Sequence, residues 1–451
     1  MQQEKRAIFT NHQLMTLLWP LVIEQALSVL VGMADTMMVS SAGEAAISGV
    51  SLVDMINQLI ITVFGALATG GAVVTSQYLG AQKPEQAARS AGQLVTLSAL
   101  LGSAIAAFCL VGRTMLLRLF FGSITDDVMT AALIYFTITA LSFPFLALYN
   151  AGAAIFRSTG NSAVSMKVSV VVNLINFCGN ALCVYGLKMG VAGVAVPTLV
   201  SRAVGAVVIL SLAARPDYLL RITPYTITHL ERGTVKSILA IGVPSACENS
   251  LFQLGRVLVV SMISLFGTVH ISANAVANNL DGVGCIIGNA MCLGMITVVG
   301  RCVGAQDFDQ AVYYTKKLLR WDYVAQGLTN AVVLLALNPL LSLYTLSPET
   351  AQLSAELVWI HAGLSIFLWP LAFILPNALR AANDVRFTMV VSVVSMLVWR
   401  LGFSQILCVQ LGWGALGVWW AMIIDWICRL ICFVIRFASG AWKKKAMKIP
   451  A

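Results

Sequence analysis

Long apolar runs broken by short polar stretches make up nearly the whole chain. A helix needs about 20 apolar residues to cross a bilayer. Runs of that order cover 14–40, 50–78, 90–112, 128–153, 163–186, 191–214, 236–265, 274–300, 318–343, 352–378, 387–409 and 414–437. They predict twelve transmembrane helices, six on each side of a polar run from Arg215 to Lys236 that also holds Pro216, Asp217, Pro224 and Glu231. The expected organisation is a six-helix bundle over 1–214, a cytoplasmic linker over 215–235, a second six-helix bundle over 236–437 and a basic cytoplasmic tail over 438–451. The expected fold class is an all-α integral membrane protein. An even number of spans per half orients both halves alike, so the two bundles are related by pseudo-two-fold symmetry along the membrane normal.

The residues that punctuate these runs recur about 224 positions later. Pro20 returns as Pro244, Glu24 as Glu248, Gly43 as Gly267, Ile47-Ser48 as Ile271-Ser272 and Gly70 as Gly294. Gly80-Ala81-Gln82 returns as Gly304-Ala305-Gln306, and Gln86-Ala87 as Gln310-Ala311. The register then slips by one, so that Arg157, Met166 and Ser169 meet Arg380, Met389 and Ser392. It recovers where Gly190, Gly193 and Val194 meet Gly414, Gly417 and Val418. Duplication in so apolar a chain points to a transporter whose two halves rock about a shared site.

Composition fits a bilayer as solvent. The chain is 59% hydrophobic and 10% charged, with mean hydropathy +0.86, where a soluble domain carries roughly 25% charged residues. Basic residues are unevenly placed. Lys5, Arg6, Lys83, Arg89, Arg157, Lys167, Arg301, Arg380, Arg386 and the basic residues of the linker and tail, Lys448 included, flank loops on one side. Only Arg113, Arg118 and Lys188 fall on the other. By the positive-inside rule both termini face the cytoplasm, and the protein is expected in the plasma (inner) membrane. The net charge of +9 follows from this asymmetry and from anionic lipid, and calls for no nucleic acid. Met1 to Gln13 is polar and runs straight into a full-length span, so no cleavable signal is expected. The ten cysteines form no CxxC pair and have no histidine at ligand spacing, so they read as small buried hydrophobes. His12, His229, His270 and His361 read as surface residues.

Ionisable groups inside apolar spans cost about 3 kcal/mol each, so function is sought there. Glu24 and Asp35 on the first span are 11 residues apart and share a helix face. Asn173, Asn176 and Asn180 form one stripe on the fifth, either interhelical glue or part of a site. The seventh carries Glu248, Gln253 and Arg256, where a Glu248–Arg256 contact is one option. The eighth carries Asn274, Asn278 and Asp281 on one face, and Asp281 matches Asn57 of the second span, beside Asp54. The expected interior is acidic in both halves. Asp425 and Arg429, at i and i+4, can pair along the last span. Arg202 and Arg400 are expected to snorkel from span ends. Trp19 and Trp369-Pro370 offer aromatic surface for a flat cation or an interfacial anchor.

These residues resemble the multidrug and toxic compound extrusion (MATE) family of NorM- and DinF-like transporters. The likeness lies in Trp19-Pro20, Ala34-Asp35-Thr36-Met37-Met38-Val39, Gly80-Ala81-Gln82, Gly242-Val243-Pro244, Val303-Gly304-Ala305-Gln306 and Leu379-Arg380-Ala381. It covers essentially the whole chain. The resemblance implies a monomeric membrane antiporter, not an enzyme, that takes in H⁺ or Na⁺ and exports small organic, cationic compounds by alternating access, without a cofactor. In members resembling this one, a first-span Asp works with two fifth-span residues four apart and a sixth-span hydroxyl. Carried over, these are Asp35, Asn176, Asn180 and Thr198 as the cation-coupling set, with Asp35, Asn176 and Asn180 as metal ligands if the ion is Na⁺. The second-half acids of the NorM-like branch are not matched: one falls on Phe252, and the tenth span has only Glu356. Glu248 with Asp281 stands in for them. Glu24, Glu248, Asn278 and Asp281 are the expected substrate-binding residues.

Three other classes are weighed. A lipid-linked oligosaccharide flippase of the same superfamily wants a basic cavity for its pyrophosphate. A membrane prenyltransferase wants DDxxD motifs, but Asp126-Asp127 is the sole Asp pair. A channel wants a repeated selectivity filter, which two halves with different acids do not supply.

Overall fold

The computed structural model describes residues 7–40, 44–122, 125–344 and 346–446. Lys5, Arg6, Gly43 and Lys448 lie outside the described residues, as do the side chains of Thr36 and Met37. Helices follow one another as α1 (Asn11–Ser40), α2 (Glu44–Gly80), α3 (Pro84–Phe121), α4 (Asp126–Leu141), α5 (Phe143–Ser158), α6 (Ser162–Ala181), α7 (Ala192–Ala213), a short α8 (Pro224–Thr228) and α9 (Arg232–Ser264). The second half continues with α10 (Thr268–Gly284), α11 (Ile286–Gly304), α12 (Phe308–Leu335), α13 (Leu337–Ser342), α14 (Pro348–Trp369), α15 (Leu375–Ala381), α16 (Val385–Ser395), α17 (Ala415–Ala438) and α18 (Lys443–Ala446). π-helical turns extend α6 over Leu182–Gly186, join α14 to α15 over Pro370–Ile374, and follow α16 over Met396–Gly402 and Gln405–Gln410.

This is an all-α, multi-pass membrane protein. Among the described residues nine helices are long and apolar enough to cross a membrane, and the bent pair Asp126–Leu141 and Phe143–Ser158 makes ten. The expected seventh and ninth spans correspond to α9 and α12, which carry Glu248 and Arg256, and Lys316, Lys317, Arg320 and Asp322. The expected eighth span is two helices, interrupted at Cys285. Gly284 and Gly288 flank that break. A Cβ on Gly284 would meet Asn330 Oδ1 at 2.5 Å, and one on Gly288 would strike Gln326 and Trp369. Only glycine lets α12 and α14 come this close.

The duplication in the sequence is a duplication of turns. Gln82 and Gln306, neither a glycine, both take positive φ, at 57° and 60°. Each closes its helix with the same pair of bonds: Ala81 N to Gln77 O and Lys83 N to Tyr78 O, then Ala305 N to Arg301 O and Asp307 N to Cys302 O. Such left-handed C-terminal turns satisfy the last carbonyls of a helix. Gly190 and Gly414 likewise match, at φ 58° and 57°.

The chain forms two compact units, Asn11–Ala246 and Cys247–Ala451, the latter including Met1–Thr10. They part inside α9 rather than in the polar run 215–235. The first turns of α9 pack on α2, where a Cβ on Gly70 would meet Ile238 O at 2.5 Å and Gly242 N at 3.0 Å. In the first unit Phe64, Phe136, Phe143 and Leu117 belong to the buried apolar core. In the second, Phe9 lies edge-on against the fully buried Tyr314, whose hydroxyl donates to Phe9 O at 2.7 Å. α1 and α9 continue through Pro20 and Pro244 without interruption.

Candidate functional site

Three cross-contacts fix α1 against α6 in the first unit. Ser162 Oγ donates to Leu17 O, Ser165 Oγ donates to Glu24 Oε2 at 3.1 Å, and Asn180 Nδ2 donates to Asp35 Oδ1 at 2.8 Å. Both chains advance together, so the helices run parallel and the shared face of Glu24 and Asp35 is turned to α6. The amide stripe follows that face. Asn180 Nδ2 also reaches Asn176 Oδ1 at 3.2 Å, and Asn176 Nδ2 donates to Thr198 Oγ1 on α7 at 3.0 Å. Asp35, Asn180, Asn176 and Thr198 thus form one continuous hydrogen-bonded chain. Asn173 stands apart from it and donates to Ser169.

Asn180 is fully buried, and its Oδ1 has no partner. A buried amide oxygen left unpaired costs about 1–3 kcal/mol, and beside a carboxylate it is an acceptor suited to a cation. The donor set of Asp35, Asn180 and Asn176 therefore fits a hard, oxygen-seeking ion or a proton.

Asp35 and Thr198 line a cavity of about 320 Å³ together with Asp54, Asn57, Tyr135 and Arg202. Asp54 Oδ1 accepts from Asn57 Nδ2 and from Tyr135 Oη, each at 3.1 Å. Arg202 is the departure from expectation. It sits midway along α7, too deep to snorkel, donates to Ser142 Oγ at 2.7 Å, and lies within electrostatic reach of Asp54 and Asp35. The cavity holds two acids and one guanidinium; it is not purely acidic.

The expected substrate-binding residues each have partners within their own unit. Glu24 Oε1 pairs with Arg157 Nη1 at 3.5 Å. Glu248 Oε1 pairs with Arg380 Nη2 at 2.6 Å, not with Arg256. These two ion pairs are copies of one another, because Glu24 matches Glu248 and Arg157 matches Arg380. Asn278 half-buries and donates to Asn274 O at 2.7 Å. Asp281 Oδ1 meets His361 Nδ1 at 2.7 Å and accepts from Cys285 Sγ at 3.3 Å.

Further residues depart from the sequence reading. His361 is buried at 3% exposure, not at the surface, whereas His12 and His229 are exposed. Arg400 is buried too; it lies 5.3 Å from the Phe252 ring centroid, and its Nε has no partner. Arg429 shares that ring at 5.5 Å and pairs with Asp425 at 2.9 Å, as the i, i+4 spacing allows. Trp369 is buried and stacks on Phe373. Asp322, outside the expected site residues, is fully buried with both carboxylate oxygens unpaired. Its signal is in the sequence, as a lone acid inside the run 318–343.

The matching protein-family model is MatE, over residues 20–182 and again over 244–405, so the two matches begin 224 residues apart. An uncharacterized transporter YisQ of Bacillus subtilis is 28% identical, covering 98% of this chain and 97% of its own. A probable multidrug resistance protein NorM of Thermotoga maritima is 24% identical, covering 96% and 94%. An outward-facing multidrug resistance MATE family transporter of the MOP superfamily shares the fold at TM-score 0.89 and 21% identity, over 96% of each chain. So does a MOP superfamily transporter from Pyrococcus furiosus, described by the reverse polarity of its binding pocket, at TM-score 0.87 and 21% identity over 97% and 96%. A duplicated all-helical membrane protein with a charged cavity in its first half is the architecture of a transporter, not an enzyme. The chain belongs to the MatE family, whose members are transporters of the multidrug-efflux class.

Proposed function

We propose that this chain is a cation-coupled antiporter that exports small organic, cationic compounds by alternating access, in exchange for H⁺ or Na⁺. The observation that carries the reading is the Asp35–Asn180–Asn176–Thr198 chain, which includes the unpaired Asn180 oxygen and whose two ends, Asp35 and Thr198, line a 320 Å³ cavity. A carboxylate in such surroundings either takes a proton or holds a cation. Coupling ion and cationic substrate then compete for Asp35, and Arg202 keeps the cavity from being acidic enough to hold both. Coupling further requires that each ligand favour a different one of the two transport states. Relatives named as multidrug resistance proteins support the substrate class.

The protein acts in the plasma membrane, as a monomer, with both termini cytoplasmic; the basic-residue asymmetry supports the orientation. Cysteines introduced between Arg215 and Lys236 should resist impermeant thiol reagents applied from outside, and ones near Asp126 should label. The reverse pattern overturns this orientation.

The buried Arg400, with an unpaired Nε, favours a second reading, a lipid-linked oligosaccharide flippase, because a guanidinium in that state suits a pyrophosphate. Uptake into proteoliposomes under imposed H⁺ or Na⁺ gradients, across cationic, neutral and anionic dyes, separates the two. Antiport predicts gradient-driven movement of cationic dyes. No gradient dependence for any dye would sink it.

A further inference from the structure

The second unit gathers a carboxylate, a thiol and an imidazole at one point. Asp281 and Cys285 stand one helical turn apart at the end of α10, and His361 reaches them from α14. Asp281 Oδ1 is 2.7 Å from His361 Nδ1 and 3.3 Å from Cys285 Sγ, and the three ligand atoms all lie within 4.8 Å of one another. Around a tetrahedral ion with bonds of about 2.0–2.3 Å, ligand atoms sit roughly 3.3–3.8 Å apart. The Asp281–Cys285 spacing already falls in that range; metal-binding geometry requires the Asp281–His361 contact to open by roughly 1 Å and Cys285 and His361, within 4.8 Å of one another, to settle into the same range.

The surroundings hold those side chains in place. His361 packs edge-on against Trp419 and Trp426, with ring centroids 5.7 and 5.0 Å away. Asp281, His361 and Asn330 line a common narrow void. The fully buried Asp322, both oxygens unpaired, lies within electrostatic reach of Cys285.

We propose that Asp281, Cys285 and His361 bind one divalent transition-metal ion of the zinc class, which ties α10 to α14. A thiolate with an imidazole selects a borderline-soft ion over Na⁺, Mg²⁺ or Ca²⁺, which take oxygen ligands. Binding releases the Cys285 thiol proton to solvent, shifts the His361 proton from Nδ1 to Nε2, and replaces the Asp281–His361 hydrogen bond with two metal bonds. The first half has nothing of the kind: at the equivalent places it carries Asn57 and Ile61, with Thr137 or Ile138 opposite. The site is independent of the coupling set around Asp35.

The test uses the full-length protein, purified in detergent, stripped with chelator and titrated with Co²⁺. One equivalent should produce a near-ultraviolet thiolate-to-cobalt charge-transfer band, which Zn²⁺ then displaces. Cys285→Ser should abolish that band, and His361→Gln should weaken Co²⁺ binding by roughly 100-fold, at least the loss seen when a metal's outer-shell partner is removed. Thermal unfolding of each variant without metal checks that it is folded. The unmutated protein should gain thermal stability on adding Zn²⁺, and Cys285→Ser should gain less. No charge-transfer band in the unmutated protein, or an undiminished band in Cys285→Ser, overturns the proposal and leaves a structural hydrogen bond.

Discussion

The Glu24–Arg157 and Glu248–Arg380 pairs occupy equivalent places in the two halves, and so do the left-handed turns at Gln82 and Gln306. The polar interiors do not match in this way. On α2 the order is Asp54 then Asn57, bonded to each other; at the equivalent places on α10 it is Asn278 then Asp281, and the acid turns instead to His361 and Cys285. Where the first half has Asn176 of the coupling chain, the second half, at an offset of 223 or 224, has Trp399 and the buried Arg400. The halves thus share a frame and differ in chemistry. Turns and ion pairs that hold helix ends can be copied, whereas the groups facing the interior have been assigned separate tasks.

The comparison is broken most severely at the ion pairs. Arg380→Ala leaves Glu248 buried without its partner, and losing one member of a buried pair costs about 3–5 kcal/mol. Arg157→Ala should cost less, because its contact is longer, 3.5 Å against 2.6 Å. Thermal unfolding in detergent measures both, and pairing Arg380→Ala with Glu248→Ala should recover part of the loss. Since Glu248 is engaged by Arg380, Glu248→Gln should impair transport of cationic and neutral dyes alike. A selective loss for cationic dyes would support the substrate-binding role expected of Glu248.

Asn180→Ala should sharpen the contrast from the other side. It removes the donor to Asp35 and the unpaired acceptor while leaving the frame intact. A hydrogen bond to a charged group contributes about 1.5–3 kcal/mol, so coupling-ion affinity should fall by roughly tenfold to a hundredfold. Asn176→Ala, one step further from Asp35, should have the smaller effect. Ion dependence of dye transport reports both.

The smallest effects concern the matched glycines. Gly190 and Gly414 share a positive φ, so alanine strains either by about 1–2 kcal/mol. Gly190 has open space around it, whereas a Cβ on Gly414 would also run into the His270 ring, with Nδ1 at 2.6 Å. Gly414→Ala should therefore lower the unfolding temperature more than Gly190→Ala. Equal shifts would mean that His270 moves aside without cost.

Much of the frame was legible in the sequence. The repeat marked the matched turns, the apolar runs marked the helices, and the coupling residues that the resemblance implied come together around Asp35. Two things were hidden. The register linked Glu24 to Glu248 and Arg157 to Arg380 separately, but only folding shows that each Glu meets its own Arg. An ionisable group inside a span is as costly when it is a base as when it is an acid. Arg202, Arg400 and His361 all stand well inside the runs 191–214, 387–409 and 352–378. Each is buried or half-buried rather than snorkelling or at the surface. Cys285 stands four residues from Asp281, but His361, which meets the same carboxylate, is on another helix.

The central claim is that coupling resides at Asp35, in the half where acid, amides and hydroxyl form one chain. Asp35→Asn removes the charge at nearly constant volume, so the protein should fold and insert as before. In proteoliposomes it should show no cationic-dye transport driven by either an H⁺ or a Na⁺ gradient. Gradient-driven transport at the unmutated rate would contradict the account.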